Sequence, residues 1–199
     1  MTLKIKTFNA FLSHSHDDAV WSENLARRLE DACSFRIWLD RWVLIPGKSW
    51  QQAMARGLSD AEACAVCIGA NTPHGWFQEE IERALDLQTL DSNFRVIPVL
   101  LPDAKIDSIP AFLSLRTWAD FRIGQDQEYA FHVLKQGIKG EPIGRWLPST
   151  DTAPVDSFVK YQQKFLELKK FRALGIHEEI VIEFERKILD KWFGEGGAK

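Results

Sequence analysis

Residues 7–40 read TFNAFLSHSHDDAVWSENLARRLEDACSFRIWLD. The opening TFNAFLS is a short apolar run bounded by polar residues, the pattern of a buried strand. Asp17 or Asp18 is placed to cap a helix in which Trp21, Leu25, Leu29 and Ala32 recur at helical spacing and share one face. FRIWLD, residues 35–40, is a second strand. A strand, a one-sided helix and another strand in succession imply parallel pairing, with helices covering the sheet.

The alternation continues. A loop, RWVLIPGK (41–48), leads to Ser49, which opens a second helix with Gln52 in capping-box position and Trp50, Met54 and Leu58 on the inner stripe. CAVCIG (64–69) is a third strand, NTPHG (71–75) a turn-rich loop, and Trp76 begins a third helix. FRVIPVLL (94–101) is a fourth strand, in which Pro98 marks a bulge or an unpaired position. RTWADF (116–121) is a fifth strand and EYAFHVLKQGI (128–138) the last helix. Near-continuous apolar strands indicate burial on both sheet faces. The expected fold is α/β: a flavodoxin-like five-stranded parallel sheet in the order 2-1-3-4-5, covered by helices. Ligands of such sheets bind beyond the carboxyl ends of the strands, near the switch in strand order. Those ends are the loops after strands one, two and three.

The unit spans residues 1–140. Residues 141–154 form a proline-containing linker. Residues 155–199 carry two amphipathic stripes, Phe158, Tyr161, Phe165, Leu168 and then Ile180, Phe184, Ile188, Trp192, separated by Gly175, the pattern of a C-terminal αα-hairpin.

Composition narrows the function. The 199 residues are 45% hydrophobic and 27% charged, enough for a core and a solvated surface. A net charge of -3 and no long basic run argue against a direct nucleic-acid binder. No apolar stretch approaches the length of a membrane span, and the N-terminus lacks signal-peptide architecture, so a cytoplasmic, membrane-free protein is expected. Three cysteines fit a reducing compartment. Cys64 and Cys67, three apart on a strand, point to opposite faces and read as core residues. His14, His16, Asp17 and Asp18 lack a third ligand group elsewhere, and no metal site is expected.

The informative carboxylates are Glu79 and Glu80. Helical phase separates them. Glu79 falls with Glu82, Arg83 and Asp86 on a polar stripe, whereas Glu80 falls with Trp76, Ala84 and Leu87 at the apolar seam. A carboxylate there is partly desolvated and available to a developing cation. From spacing alone, a helix glutamate paired with a neighbouring Arg or Lys is the simpler reading.

The family resemblance shifts that balance. FNAFLSHSHDD resembles the first signature of TIR domains, WLDRWVLIPGKSW the second and RTWADF the third. GWFQEEIERAL is similar to the tryptophan-x-x-x-glutamate segment of NAD-cleaving TIR domains, including bacterial anti-phage ones. The likeness covers residues 6 to about 138. It implies that Glu80 is catalytic and that NAD is the substrate rather than a cofactor. It implies cleavage of the nicotinamide–ribose bond to give nicotinamide and ADP-ribose or a cyclic isomer, in an immune setting. It places Ser13, His14, Asp40, Lys48 and Trp76 as substrate-binding positions. His14 departs from the aromatic common there. It also makes Trp42, Val43, Leu44, Ile45, Pro46 and Gly47 an interface for assembly-dependent activity, their apolar character fitting a contact site, and it leaves room for a sensor or effector protein as a partner. The competing reading is a non-enzymatic TIR adaptor acting through TIR–TIR contacts. A response-regulator-like domain is set aside, because strand three ends in Ile68, Gly69 and Ala70 without an acidic phosphoacceptor.

Overall fold

The computed structural model describes residues 6–71, 73–122 and 125–146, apart from the Trp76 side chain. The hairpin expected over 155–199, and the linker beyond residue 146, lie outside the described residues.

Five strands, β1 (Phe8–His14), β2 (Ile37–Trp38), β3 (Ala61–Ile68), β4 (Arg95–Leu100) and β5 (Ala119–Asp120), form one sheet in the order β2-β1-β3-β4-β5. Every pairing is parallel. The helices are α1 (Ala19–Cys33), α2 (Asp40–Val43), α3 (Trp50–Ser59), α4 (Gly75–Leu90), α5 (Ala111–Ser114) and α6 (Gln127–Lys139). None of the described helices is long and apolar enough to cross a membrane.

The two faces of the sheet are covered differently. On one, Leu58 of α3 and Phe77, Ile81 and Ala84 of α4 close over Phe11, Trp38 and Cys64. Phe11 and Trp38 stack at 4.3 Å between ring centroids. On the other, α1 buries Trp21, Leu25 and Leu29. Each such fully buried side chain is worth about 1.5–3 kcal/mol relative to exposure. Arg28 of α1 binds both oxygens of Glu128 of α6 at 2.7 Å and lies 4.0 Å over the Phe131 ring, which ties the two helices together. The expected opposition of Cys64 and Cys67 is found. Cys64 packs in the α3–α4 cluster, and Cys67 faces Ser22 and Asp18 on the α1 side.

Some local expectations change. β2 and β5 shrink to two residues each. Asp18 is the N-cap residue of α1 without a capping bond; its carboxylate instead accepts the Ser15 hydroxyl at 2.6 Å. Ser49 precedes α3, but no capping box forms. Pro98 sits in register opposite Val66 with no bulge. The amide of Leu101 reaches Ile68 of β3, so the alternate residues, Pro98 among them, face the β5 side. There β5 begins only opposite Val99, so no bond is missing. α6 ends at Gly140, whose left-handed backbone (φ 71°) closes the helix.

Candidate functional site

Period two along β1 puts Ser13 on the same face as Phe11, toward α4. The Ser13 hydroxyl donates to Glu80 Oε2 at 2.5 Å. Ser13 itself is 1% exposed. It therefore stands behind the carboxylate and not on a ligand-facing surface, where the sequence reading placed it. Glu80, one helical turn past Trp76, is half-buried, while Glu79 beside it is exposed. The split expected from helical phase is present.

His14 ends β1 and reaches toward the first turn of α2. Its Nδ1 lies 2.8 Å from the Ser15 carbonyl oxygen and its Nε2 lies 3.4 Å from Asp40 Oδ1. Asp40 also accepts the backbone N–H of Arg41 at 2.6 Å. Three carboxyl–imidazole groups thus converge where β1, the β2–α2 corner and α4 meet.

Electrostatics follow from that convergence. Burial pushes the Glu80 carboxyl up to about 7, against the lowering effects of the Ser13 hydroxyl and His14. Burial favours a neutral His14 ring. The bonds to Asp40 and Ser15 and the charges of Asp40 and Glu80 outweigh it, so its pKa is raised. Asp40 moves the other way: burial opposes its charge, but the bond and charge of His14 hold its pKa down.

A cleft of about 640 Å³ opens over these groups, with His14, Asp40, Trp50, His74, Phe77 and Glu80 among its walls. A second pocket of about 300 Å³ runs deeper, toward Phe11 and Leu58. Trp50, Met54 and Glu80 line both. Glu80 therefore stands between the two spaces. Volumes of this order suit a small-molecule ligand.

The predicted residues do not all assemble here. Glu80, His14 and Asp40 meet. Trp76 lies in the first turn of α4. Lys48 lines a separate pocket of about 420 Å³ with Phe8, Trp38 and Arg56. The expected interface loop divides. Trp42 Nε1 donates to Glu23 at 3.2 Å and its ring lies under Arg27, while Val43 and Leu44 pack against the core. Ile45 is 57% exposed, and Pro46 and Gly47 are exposed with it. Trp50 is the residue that sequence reasoning missed. Its spacing to Met54 and Leu58 suggested a core position, yet it is 40% exposed over the cleft. The signal was its place in the first turn of a helix entered from the carboxyl end of a strand, where side chains overhang the ligand side. Among the described residues no group of three or more His, Cys, Asp and Glu is arranged to hold a metal ion.

The order of the sheet accords with the comparison to known families, in which the TIR domain model matches residues 10–135. The chain belongs to the TIR domain family. Among solved structures, a similar one is the TIR domain of the Toll-related receptor TRR-2 from the lower metazoan Hydra magnipapillata. Identity is 17% and the TM-score 0.55, over 67% of this chain and 99% of that one. At that identity the likeness extends to the fold. A comparison with curated proteins returned no match. In this TIR domain the Glu80 corner sits at the carboxyl ends of β1 and β2, the ligand-binding end of such a sheet.

Proposed function

We propose that this TIR domain cleaves NAD at the nicotinamide–ribose bond, with Glu80 as the catalytic carboxylate. The observation that carries the reading is the position of Glu80: a half-buried carboxylate on the cleft wall, backed by the Ser13 hydroxyl and flanked by His14. Nicotinamide leaves from a positively charged ring and needs no proton. The ribose it leaves behind passes through an oxocarbenium-like state. A desolvated anion beside that carbon stabilises the developing charge more than an exposed one would. Approach of the cationic nicotinamide also favours the charged form of Glu80. Water attack then gives ADP-ribose, and attack from within the adenosine gives a cyclic isomer.

Self-association belongs to the same proposal. The exposed Ile45–Pro46–Gly47 tip, with Ile45 57% exposed, is a surface suited to a second copy. A purely adaptor role would rest on that tip alone and gives no reason for a semi-buried carboxylate in a cleft.

The test is incubation of concentrated wild type and Glu80→Ala with NAD, with products separated by chromatography. Nicotinamide should be released by the wild type, with at least about a hundredfold loss in the variant. Equal release from both removes Glu80 from the mechanism, and none from the wild type favours the adaptor.

A further inference from the structure

The bond-breaking step above employs Glu80 and leaves the His14–Asp40 pair without a task. The side chain of His14 is only 7% exposed, so its ring must satisfy both nitrogens locally. At Nδ1 the neighbour is the Ser15 carbonyl, 2.8 Å away, which can only accept. The hydrogen is therefore on Nδ1. At Nε2 the neighbour is a carboxylate oxygen of Asp40, 3.4 Å away. A neutral ring would turn a lone pair toward that anion, whereas an imidazolium donates at both ends. Asp40 is itself fixed by the Arg41 amide at the start of α2.

We propose that His14 is a positioning residue: clamped as a cation between the Ser15 carbonyl and the Asp40 carboxylate, it holds Glu80 in its charged form for bond cleavage. The purpose depends on the NAD-cleaving reading; the coupling between the two side chains does not.

Other titratable and charged groups face the same space. From β3 comes Cys64, a thiol that burial keeps protonated. From its own helix come Glu79 and Arg83, which line the deeper pocket with it. From the turn after β1 come His16 and Asp17, and from the loop before α4 comes His74, all on the walls of the larger cleft. α3 presents Trp50 and Met54, which carry no charge. Arg41 and Asp40 complete the β2–α2 side; Asp40 acts against ionisation of Glu80, and the effect of His14 is the larger of the two.

The experiment uses the full chain labelled with ¹³C at glutamate carboxyls and ¹⁵N at histidine rings, titrated by NMR, with Glu80 assigned from the signal lost in Glu80→Gln. In folded His14→Gln the Glu80 titration midpoint should move to higher pH. In Asp40→Asn, which keeps the ring in its packing, the His14 midpoint should fall. An unmoved Glu80 midpoint in the first, or an unmoved ring midpoint in the second, overturns the proposal; if His14→Gln does not fold, the second decides. For NAD cleavage, His14→Gln should lose about three- to tenfold in kcat/KM at about pH 6 and approach wild type at about pH 9, well above the Glu80 value of about 7. A loss equal at every pH marks a structural role and overturns it. A wild type that cleaves no NAD defeats the enzymatic reading, and the titrations still decide the coupling.

Discussion

The Ser13 hydroxyl and the Glu80 carboxylate, 67 residues apart in the chain, meet at 2.5 Å across the gap between β1 and α4. A donor facing an acid favours its charged form. Burial still prevails, and the Glu80 carboxyl rests at about 7 instead of its ordinary 4.5. The kcat/KM for NAD should therefore rise with pH through about 7 and level off above it, because the proposed mechanism uses the anion. Ser13→Ala removes the donor. Its acidic limb should shift to higher pH, with kcat/KM at pH 7 reduced by about three- to tenfold and the gap closing by about pH 9.

The same burial makes Glu80 a cost to folding. Its folded pKa of about 7 lies above the unfolded value near 4.5. Its favourable contribution is complete below about 4.5 and is lost as pH rises through about 7. Glu80→Gln should therefore be more stable than wild type at pH 8, by on the order of 1–3 kcal/mol, and unfold at a higher temperature, with a smaller difference at pH 5. Thermal unfolding followed by circular dichroism at the two pH values measures this. A variant equally destabilised at both would contradict the burial argument.

Trp50 offers a flat apolar wall to both pockets. If a base or the nicotinamide ring packs there, Trp50→Ala should raise KM for NAD by about tenfold while kcat changes little, since the wall binds ground state and transition state alike. Steady-state kinetics separates the two parameters.

How much of this could be seen in the chain beforehand depends on which physical signal each residue carries. The parallel, helix-covered sheet followed from apolar runs alternating with one-sided helices, because burial imposes those periods directly. The choice of Glu80 over Glu79 followed from helical phase, since one step of rotation separates a solvent face from a seam. In the sequence Trp42, Val43 and Leu44 look like a contact patch, because a loop's hydrophobicity does not tell which way it folds. Here the short α2 turns Val43 and Leu44 onto the core, and Glu23 and Arg27 hold Trp42. Asp18 looked like a cap, but a three-dimensional partner, the Ser15 hydroxyl, claims its carboxylate. The 3-10 turn Ile106–Ser108 and α5 left no periodic mark, being too short to repeat.

A packing prediction comes from Gly57 in α3. A Cβ there would collide with the indole of Trp38, which is 2% exposed and stacked on Phe11. Relieving the clash means displacing that stacked indole. Gly57→Ala should lose about 1–3 kcal/mol despite the better helix propensity of alanine, read as a lower urea midpoint at unchanged slope.

Exposed Ile45 gives the assembly prediction. It is 57% exposed, so Ile45→Asp should leave the unfolding temperature within about 2 °C. NAD cleavage at low protein concentration should fall severalfold, with dimer or larger species lost in sedimentation. Full activity together with an unchanged sedimentation profile would place the contact surface elsewhere.

Both rims of the sheet are two residues long, Ile37–Trp38 on one side and Ala119–Asp120 on the other. A rim that short is a poor template for a neighbouring backbone. Among the described residues the sheet thus offers a second copy little backbone to pair with, and loop tips and helix flanks are the larger surfaces left for contact.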